Sequence, residues 1–426
     1  MPKQLNNRQF FILTLGIAIV LRLGLMPFFG HVDLYSEARR VFYAIENGYY
    51  FDHSYRFVVF YIEIFFSAIS TLFIDVTPGL FHLSDPTQST SNLTDYRFFL
   101  DDPNVYRHLF FFKLPYLIFD IATAIVIWNF IDKPEHKKIA VLIWLFNPVT
   151  LFATYIFGRF EVISLFFLAL SALQLKYDRV FLASLFFAMA LQCREINLMF
   201  APFFLIALID FKDHYLRNVI VVSLSALFIA ILYRLPDWLI GLSGGDLMLF
   251  VDPSASHGSD AFKKLLSLGY YWFYPIVIGL AALAIYEWEI GQRSRAERFV
   301  VSSSVALFIY FGFNVHSVHY AAWIVLFPIM TMQFGKKVVL PFVAFCGTWV
   351  VLWLLKTDNG VFTLFLAAPL NPDFIGLGHF PSYFQKHIAT ADLSLYQTIQ
   401  ITRSLFLVVM GFFAYRVLTR TGNVNV

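Results

Sequence analysis

The chain is short of charge. Asp, Glu, Lys and Arg make up 14% of its 426 residues, where a soluble domain carries about 25%. So few charges do not cover a water-facing surface of this size, which excludes an ordinary soluble protein. Cysteine is scarcer still. Cys193 and Cys346 are the only two, both in apolar stretches, so no disulfide framework is expected. The chain has no Walker loop, no dinucleotide glycine fingerprint and no HExxH motif. It shows no internal repeat, no low-complexity linker and no soluble appendage. A net charge of +3 gives no reason to expect nucleic acid.

What fills the space is apolar. Hydrophobic residues reach 59% and aromatics 19%, with 52 Phe, and mean hydropathy is +0.68. Lipid is the solvent such a surface needs. The expected class is all-α, a polytopic membrane protein with about twelve spans. The first apolar run is 10–30, preceded by a short basic stretch. No small-residue cleavage site follows it, so it reads as a signal anchor. Arg22 sits inside it, a position that demands a partner or a wet cavity. Further runs fall at 110–131, 139–157, 161–175, 179–192, 196–211, 217–236, 266–287, 299–313, 320–334, 338–355 and 398–418.

This count sorts the loops by charge. Lys133, Lys137, Lys138, Lys176, Arg179, Lys212, Arg217, Arg293, Arg295, Arg298, Lys336, Lys337, Arg416 and Arg420 all fall on one side. The positive-inside rule makes that side, with both termini, cytoplasmic. The segment 57–74 is apolar enough to span, but counting it would reverse every later loop. It carries Glu63 in its middle. It is therefore expected as a juxtamembrane or re-entrant helix in a long outer loop, 31–107, with a thirteenth span as the alternative. Two modules are expected, 1–235 and 236–426, the second with large outer loops.

Polar clusters gather at the outer edge. The first is His31-Val-Asp33-Leu-Tyr-Ser-Glu37-Ala-Arg39-Arg40. Asp33 and Glu37 share a helix face, with Arg40 on the same side. An interfacial helix with internal ion pairs would look like this. So would a general base, if desolvation raises the Asp33 pKa. The second is Gly158-Arg159-Phe160-Glu161, read as capping or as groups aimed at a cavity beside Asp33. The third is Arg194-Glu195, a structural ion pair or an Arg site for phosphate. The fourth is His316 and His319, which share a face; that spacing alone is weak evidence for metal. Tyr49, Tyr50 and Trp238 suit interfacial anchoring better than sugar stacking.

The order of these features resembles the GT-C superfamily of membrane glycosyltransferases, in its mannosyltransferase-like branch. The run begins with Arg22 in the first span and Asp33 just outside it. Asn47-Gly48-Tyr49-Tyr50 follows, then Lys113-Leu114-Pro115 with Asp120. Trp144-Leu-Phe-Asn147-Pro148 leads to Gly158-Arg159-Phe160-Glu161, and Arg194 comes two spans later. The likeness covers about the first 235 residues. Glu161 stands where the branch usually has Asp, Arg159 where Gln is common, and Arg194 where Lys is found. Val59-Phe-Tyr61-Ile replaces the frequent Tyr-Pro-Pro.

The resemblance implies transfer of a sugar, mannose favoured, from a polyprenyl-phosphate donor to a glycolipid or glycan acceptor, with inversion. It makes Asp33 the general base and Glu161 a second catalytic carboxylate that orients the acceptor or assists a metal. Arg194 would hold the donor phosphate, helped by His316, His319 or Lys263. Glu37, Arg40, Tyr49 and Arg159 would line the substrate site. No cofactor or metal is required; a divalent ion is allowed. Membrane lipids and a membrane subunit are the remaining partners expected. The expected membrane is endoplasmic reticulum or bacterial inner membrane. Three other readings stand beside this one. A polysaccharide polymerase or ligase would carry more Arg in its outer loops. A transporter or flippase would show paired repeats and broken helices. A non-catalytic subunit of a membrane complex would tolerate loss of Asp33.

Overall fold

The computed structural model describes residues 6–47, 57–74, 93–209, 215–242, 294–313, 318–355, 365–376, 385–386 and 394–418. Helix dominates at 86%, and no strand occurs among the described residues. Among the described residues every expected apolar run falls mainly on helix; the run 266–287 and the end of 196–211 lie outside them.

Local sequence sets the helix ends. In α1 (Asn7–Leu25) the Asn6 side chain accepts from Gln9 N at 2.8 Å, and the Gln9 side chain accepts from Asn6 N at 3.1 Å. This reciprocal cap starts the helix. Then come α2 (Val32–Asn47), α3 (Phe57–Ser70), α4 (Leu93–Leu100), α5 (Val105–Phe112), α6 (Leu114–Phe130) and α7 (Pro134–Phe146). Pro115 and Pro134 sit in the first turns of α6 and α7, where a missing N–H costs nothing. Asn147-Pro148 interrupts the next run, and Asn147 caps the short helix α8 (Pro148–Leu151) through Thr150 N at 2.7 Å. A π turn, Phe152–Phe157, follows directly. The order continues with α9 (Glu161–Lys176), α10 (Val180–Cys193), α11 (Ala201–Ala207), α12 (Tyr215–Leu242), α13 (Arg295–Phe313), α14 (Trp323–Met330), α15 (Val339–Leu355) and α16 (Leu395–Leu418).

Four stretches are long and apolar enough to cross a membrane: Asn7–Leu25, Val105–Phe130, Pro134–Phe157 and Leu395–Leu418. Their outward faces carry bare apolar side chains, among them Ile12, Ile17 and Val20 of α1 and Leu405 and Val408 of α16. Contiguous apolar surface of this kind suits lipid, not water. The protein is a membrane protein by this measure. Helix α3 is shorter, at 14 residues, or about 21 Å, below the roughly 30 Å hydrocarbon core. It packs on α2, α5, α6 and α10. Its buried Glu63 accepts from Tyr116 OH of α6 at 2.7 Å, which answers why a carboxylate sits mid-helix.

The core is a bundle in which α9 packs on both α6 and α10, with α13 and α14 closing its far side. One end of it gathers the basic loops. Lys176 Nζ donates to Phe130 O and to Asp132 Oδ1, each at 2.7 Å. Gln333 Nε2 donates to Asp132 Oδ2 at 2.6 Å, Arg295 meets Asp178 at 3.2 Å, and Arg298 reaches Ile209 O. The opposite end of α9 begins at Glu161, about 24 Å away along the helix. Asp132 is largely exposed, and its hydrogen bond from Lys176 lowers its pKa. Its contribution is therefore present above the ordinary carboxylate pKa and lost as pH falls through the lowered value. Asp132→Asn is expected to cost no more than about 1 kcal/mol. A thermal midpoint comparison at neutral pH in detergent checks this, and a larger loss would mean the Asp132–Gln333 link carries more than a surface pair does.

Candidate functional site

The site lies at the end of the bundle away from the basic loops. Four separate stretches of chain build it. The first is the turn into α2, carrying His31 and Asp33. The second is the π turn and the step after it. Its last residue, Phe157, leads to Gly158, whose φ is +89°. A side chain there would be strained, and an added Cβ would stand 2.7 Å from Leu34 Cδ2. Glycine is needed twice over, and it turns the chain so that Arg159 faces Asp33. The third stretch is Arg194 at the end of α10. The fourth is the 3-10 turn Val318–Ala322, carrying His319 and Tyr320.

These groups form a chain of alternating charge. Arg159 Nη1 donates to Asp33 Oδ2 at 3.3 Å across 126 positions of sequence. Arg159 Nε stands 3.5 Å from Glu161 Oε1. Arg194 Nη2 reaches the same Oε1 at 3.3 Å and donates to Tyr320 OH at 3.0 Å. Both guanidinium groups lie against the Phe160 ring, at 5.1 Å and 5.3 Å from its centroid, and Arg194 also lies 5.4 Å from that of Tyr320. Glu161 is buried, and its Oε2 has no hydrogen-bond partner among the described residues.

His31 Nδ1 lies 3.1 Å from Asp33 N and 3.4 Å from Asp33 Oδ1. Its ring stacks on Phe157 at 4.1 Å, and Phe157 in turn meets His319 at 4.3 Å. Behind His31 a small pocket is walled by Tyr35, Phe42, Tyr96 and Phe99.

The electrostatics correct one expectation. Desolvation was expected to raise the Asp33 pKa. Burial does push it up, but the adjoining His31 imidazole and the Arg159 guanidinium outweigh burial and hold the carboxyl well below its usual range. Asp33 is an ionised, half-exposed carboxylate. Arg159 is pushed the other way. Burial would lower it, and Glu161 and Asp33 more than compensate, so its charge is secure. His319 is held well below its ordinary value by burial, reinforced by Arg159. It therefore offers a neutral ring at neutral pH, not a cation.

The expected site residues divide as follows. Asp33, Arg159, Glu161, Arg194 and His319 converge. Glu37 and Arg40 pair with each other at 3.5 Å on α2, and Glu37 is near enough for its charge to act on Arg159. Tyr49, Lys263 and His316 lie outside the described residues. Among the described residues no group of three or more His, Cys, Asp and Glu side chains is placed to hold a metal ion. His31 and Phe160 stand in the sequence clusters without a role there, and Tyr320 stands next to His319 without one. The adjacency of His31 to Asp33 was a readable signal; Tyr320 carried none until Arg194 arrived beside it.

Beneath the site two buried cations tie the scaffold together. Arg22 Nε donates to Asp120 Oδ2 at 2.6 Å, and Asp120 also accepts from Tyr155 OH at 2.8 Å and Trp144 Nε1 at 2.7 Å. Lys113 Nζ donates to Met26 O, Phe29 O and Tyr155 O. Comparison with known proteins gave no matching family model and no matching curated protein.

Proposed function

We propose that the protein is a membrane glycosyltransferase that moves a sugar from a polyprenyl-phosphate donor to a hydroxyl of a glycolipid or glycan acceptor, with inversion. In this reading the helices cross the bilayer many times. The basic loops and both termini are cytoplasmic, and the Asp33 cluster faces the outer or lumenal side. The acceptor oxygen attacks the anomeric carbon as the bond from that carbon to the phosphate oxygen breaks. Polyprenyl phosphate leaves as an anion, and the acceptor proton goes to Asp33.

The observation that carries this reading is the pairing of an ionised carboxylate with an arginine that keeps donors in reserve. Arg194 uses Nη2 on Glu161 and Tyr320, and its Nε and Nη1 make no hydrogen bond among the described residues. A planar fork with free donors suits a phosphate. Fixed positive charge at a departing phosphate lowers the barrier where charge develops. His319, being neutral, adds at most one N–H. Glu161 holds both arginines through one oxygen and so sets where they stand.

The test is transfer of labelled mannose from polyprenyl-phosphate-mannose to membrane lipid extract by the purified protein, repeated with glucose and arabinose donors. Incorporation supports the reading; none with any donor moves it to a transporter or a non-catalytic subunit. Arg194→Lys keeps the charge and loses the fork. It is expected to raise the donor KM about tenfold, the loss of one charge-assisted hydrogen bond. An unchanged KM would remove Arg194 from the phosphate site.

A further inference from the structure

Lys113 is fully buried at the junction of α5 and α6. Its Nζ donates to Met26 O at 3.0 Å, to Tyr155 O at 2.9 Å and to Phe29 O. An ammonium has three donors, and three carbonyls take them. None remains for a ligand, which excludes Lys113 as a substrate-binding group.

The carbonyls come from two distant stretches. Met26 is the C-cap of α1, and Phe29 lies in the connection that delivers His31 and Asp33. Tyr155 lies in the last turn of the π turn, which delivers Arg159 and Glu161. Carbonyls at helix ends lack intrahelical partners, and a cation is favoured beside them. Lys113 is thus shared by two helix C-termini. The same two stretches meet again where His31 N donates to Phe157 O at 3.1 Å. The Tyr155 hydroxyl is itself held by Asp120, so this residue is fixed at both main chain and side chain. From Tyr155 it is four residues to Arg159.

We propose that Lys113 is a positioning residue: it sets the register between the α1–α2 connection and the π turn, and through that register the contact between Asp33 and Arg159. Its consequence for turnover rests on the transferase reading; the register itself does not. A buried apolar side chain at position 113 leaves three carbonyls without a donor. The two stretches then separate, and Arg159 no longer holds the carboxylate in place.

The experiment uses full-length Lys113→Met in lipid nanodiscs, with hydrogen exchange followed over 26–36, 153–162 and, at the other end of the bundle, 170–178. Exchange is expected to rise about tenfold in the first two stretches together, from loss of shared hydrogen bonds, and to stay unchanged in the third. With polyprenyl-phosphate-mannose as donor, kcat is expected to fall about tenfold from misplacement of the base, and the donor KM to rise by less than that, since Glu161 in the loosened stretch also holds Arg194. Loosening of only one stretch, of neither, or of all three overturns the proposal. So does loosening of both with kcat unchanged. If the wild type transfers no sugar at all, the transferase reading fails and the exchange pattern still decides the register. If Lys113→Met does not fold, Lys113→Gln, which keeps two amide donors, is measured the same way.

Discussion

Asp33→Asn is expected to reduce transfer by roughly two to four orders of magnitude while leaving the fold and the donor KM intact. The substitution keeps the size of the side chain and removes its ability to take a proton. Arg194 and Tyr320 do not touch Asp33, so phosphate recognition has no reason to change. The lowered pKa does not argue against this role. An acceptor hydroxyl becomes strongly acidic once its oxygen has bonded to the anomeric carbon, and a weak base then suffices. Asp33 stays ionised as pH falls through about 4, the ordinary aspartate value. The acid limb of the rate profile should therefore lie below that value. Arg159→Gln removes a charge that holds the carboxyl down, and should move the limb up toward the ordinary range. The same depression gives Asp33 a stability contribution present above its unfolded pKa and lost as pH falls through the folded one. Transfer by Asp33→Asn at near wild-type rate would end its role as the base.

Much of the architecture was legible because punctuation and composition agree. Pro134 starts a helix between two apolar runs, as read from the sequence, whereas Pro115 and Pro148 start helices inside the runs 110–131 and 139–157. The basic loops that the charge pattern grouped do meet at one end, through Asp132, Lys176, Asp178 and Arg295. Asp33, Arg159, Glu161, Arg194 and His319 were each readable as polar residues in costly places. Their pairing was not. His31, two residues away, was the readable signal and lowers the Asp33 pKa more than Arg159 does; the arginine lies 126 positions later with nothing local to announce it, and burial taken alone gave the wrong sign. Arg22 looked like one intramembrane charge and Asp120 like a feature of another helix, yet each is the other's partner. Lys113 was hidden for a related reason: its partners are backbone carbonyls, which carry no sequence signal.

Asp120→Ala is expected to cost about 3–5 kcal/mol, because it leaves the Arg22 guanidinium buried without a counter-ion. Both side chains are fully buried, so water cannot step in. Arg22 would retain Nη1 on Ala18 O at 3.1 Å and its approach to the Tyr155 ring, neither of which replaces a carboxylate. The thermal midpoint of the detergent-solubilised variant, followed by size-exclusion, reads this directly, and a cost below about 1 kcal/mol would mean the pair is not what holds α1 to α6. The double variant Arg22→Met, Asp120→Leu separates two explanations for the pair. Well-packed apolar residues often match or exceed a buried ion pair in stability, so most of the loss should return. The shortfall should be about 1–3 kcal/mol, from the Tyr155 hydroxyl left without its acceptor. Trp144 would keep the Asp120 carbonyl at 3.2 Å, since that is backbone. Tyr155 is the residue from which the π turn carries Arg159 into the site. A double variant that is stable but slow in transfer would show that the ion pair is kept for where it holds Tyr155. One that is stable and fully active would show that Lys113 alone fixes the turn.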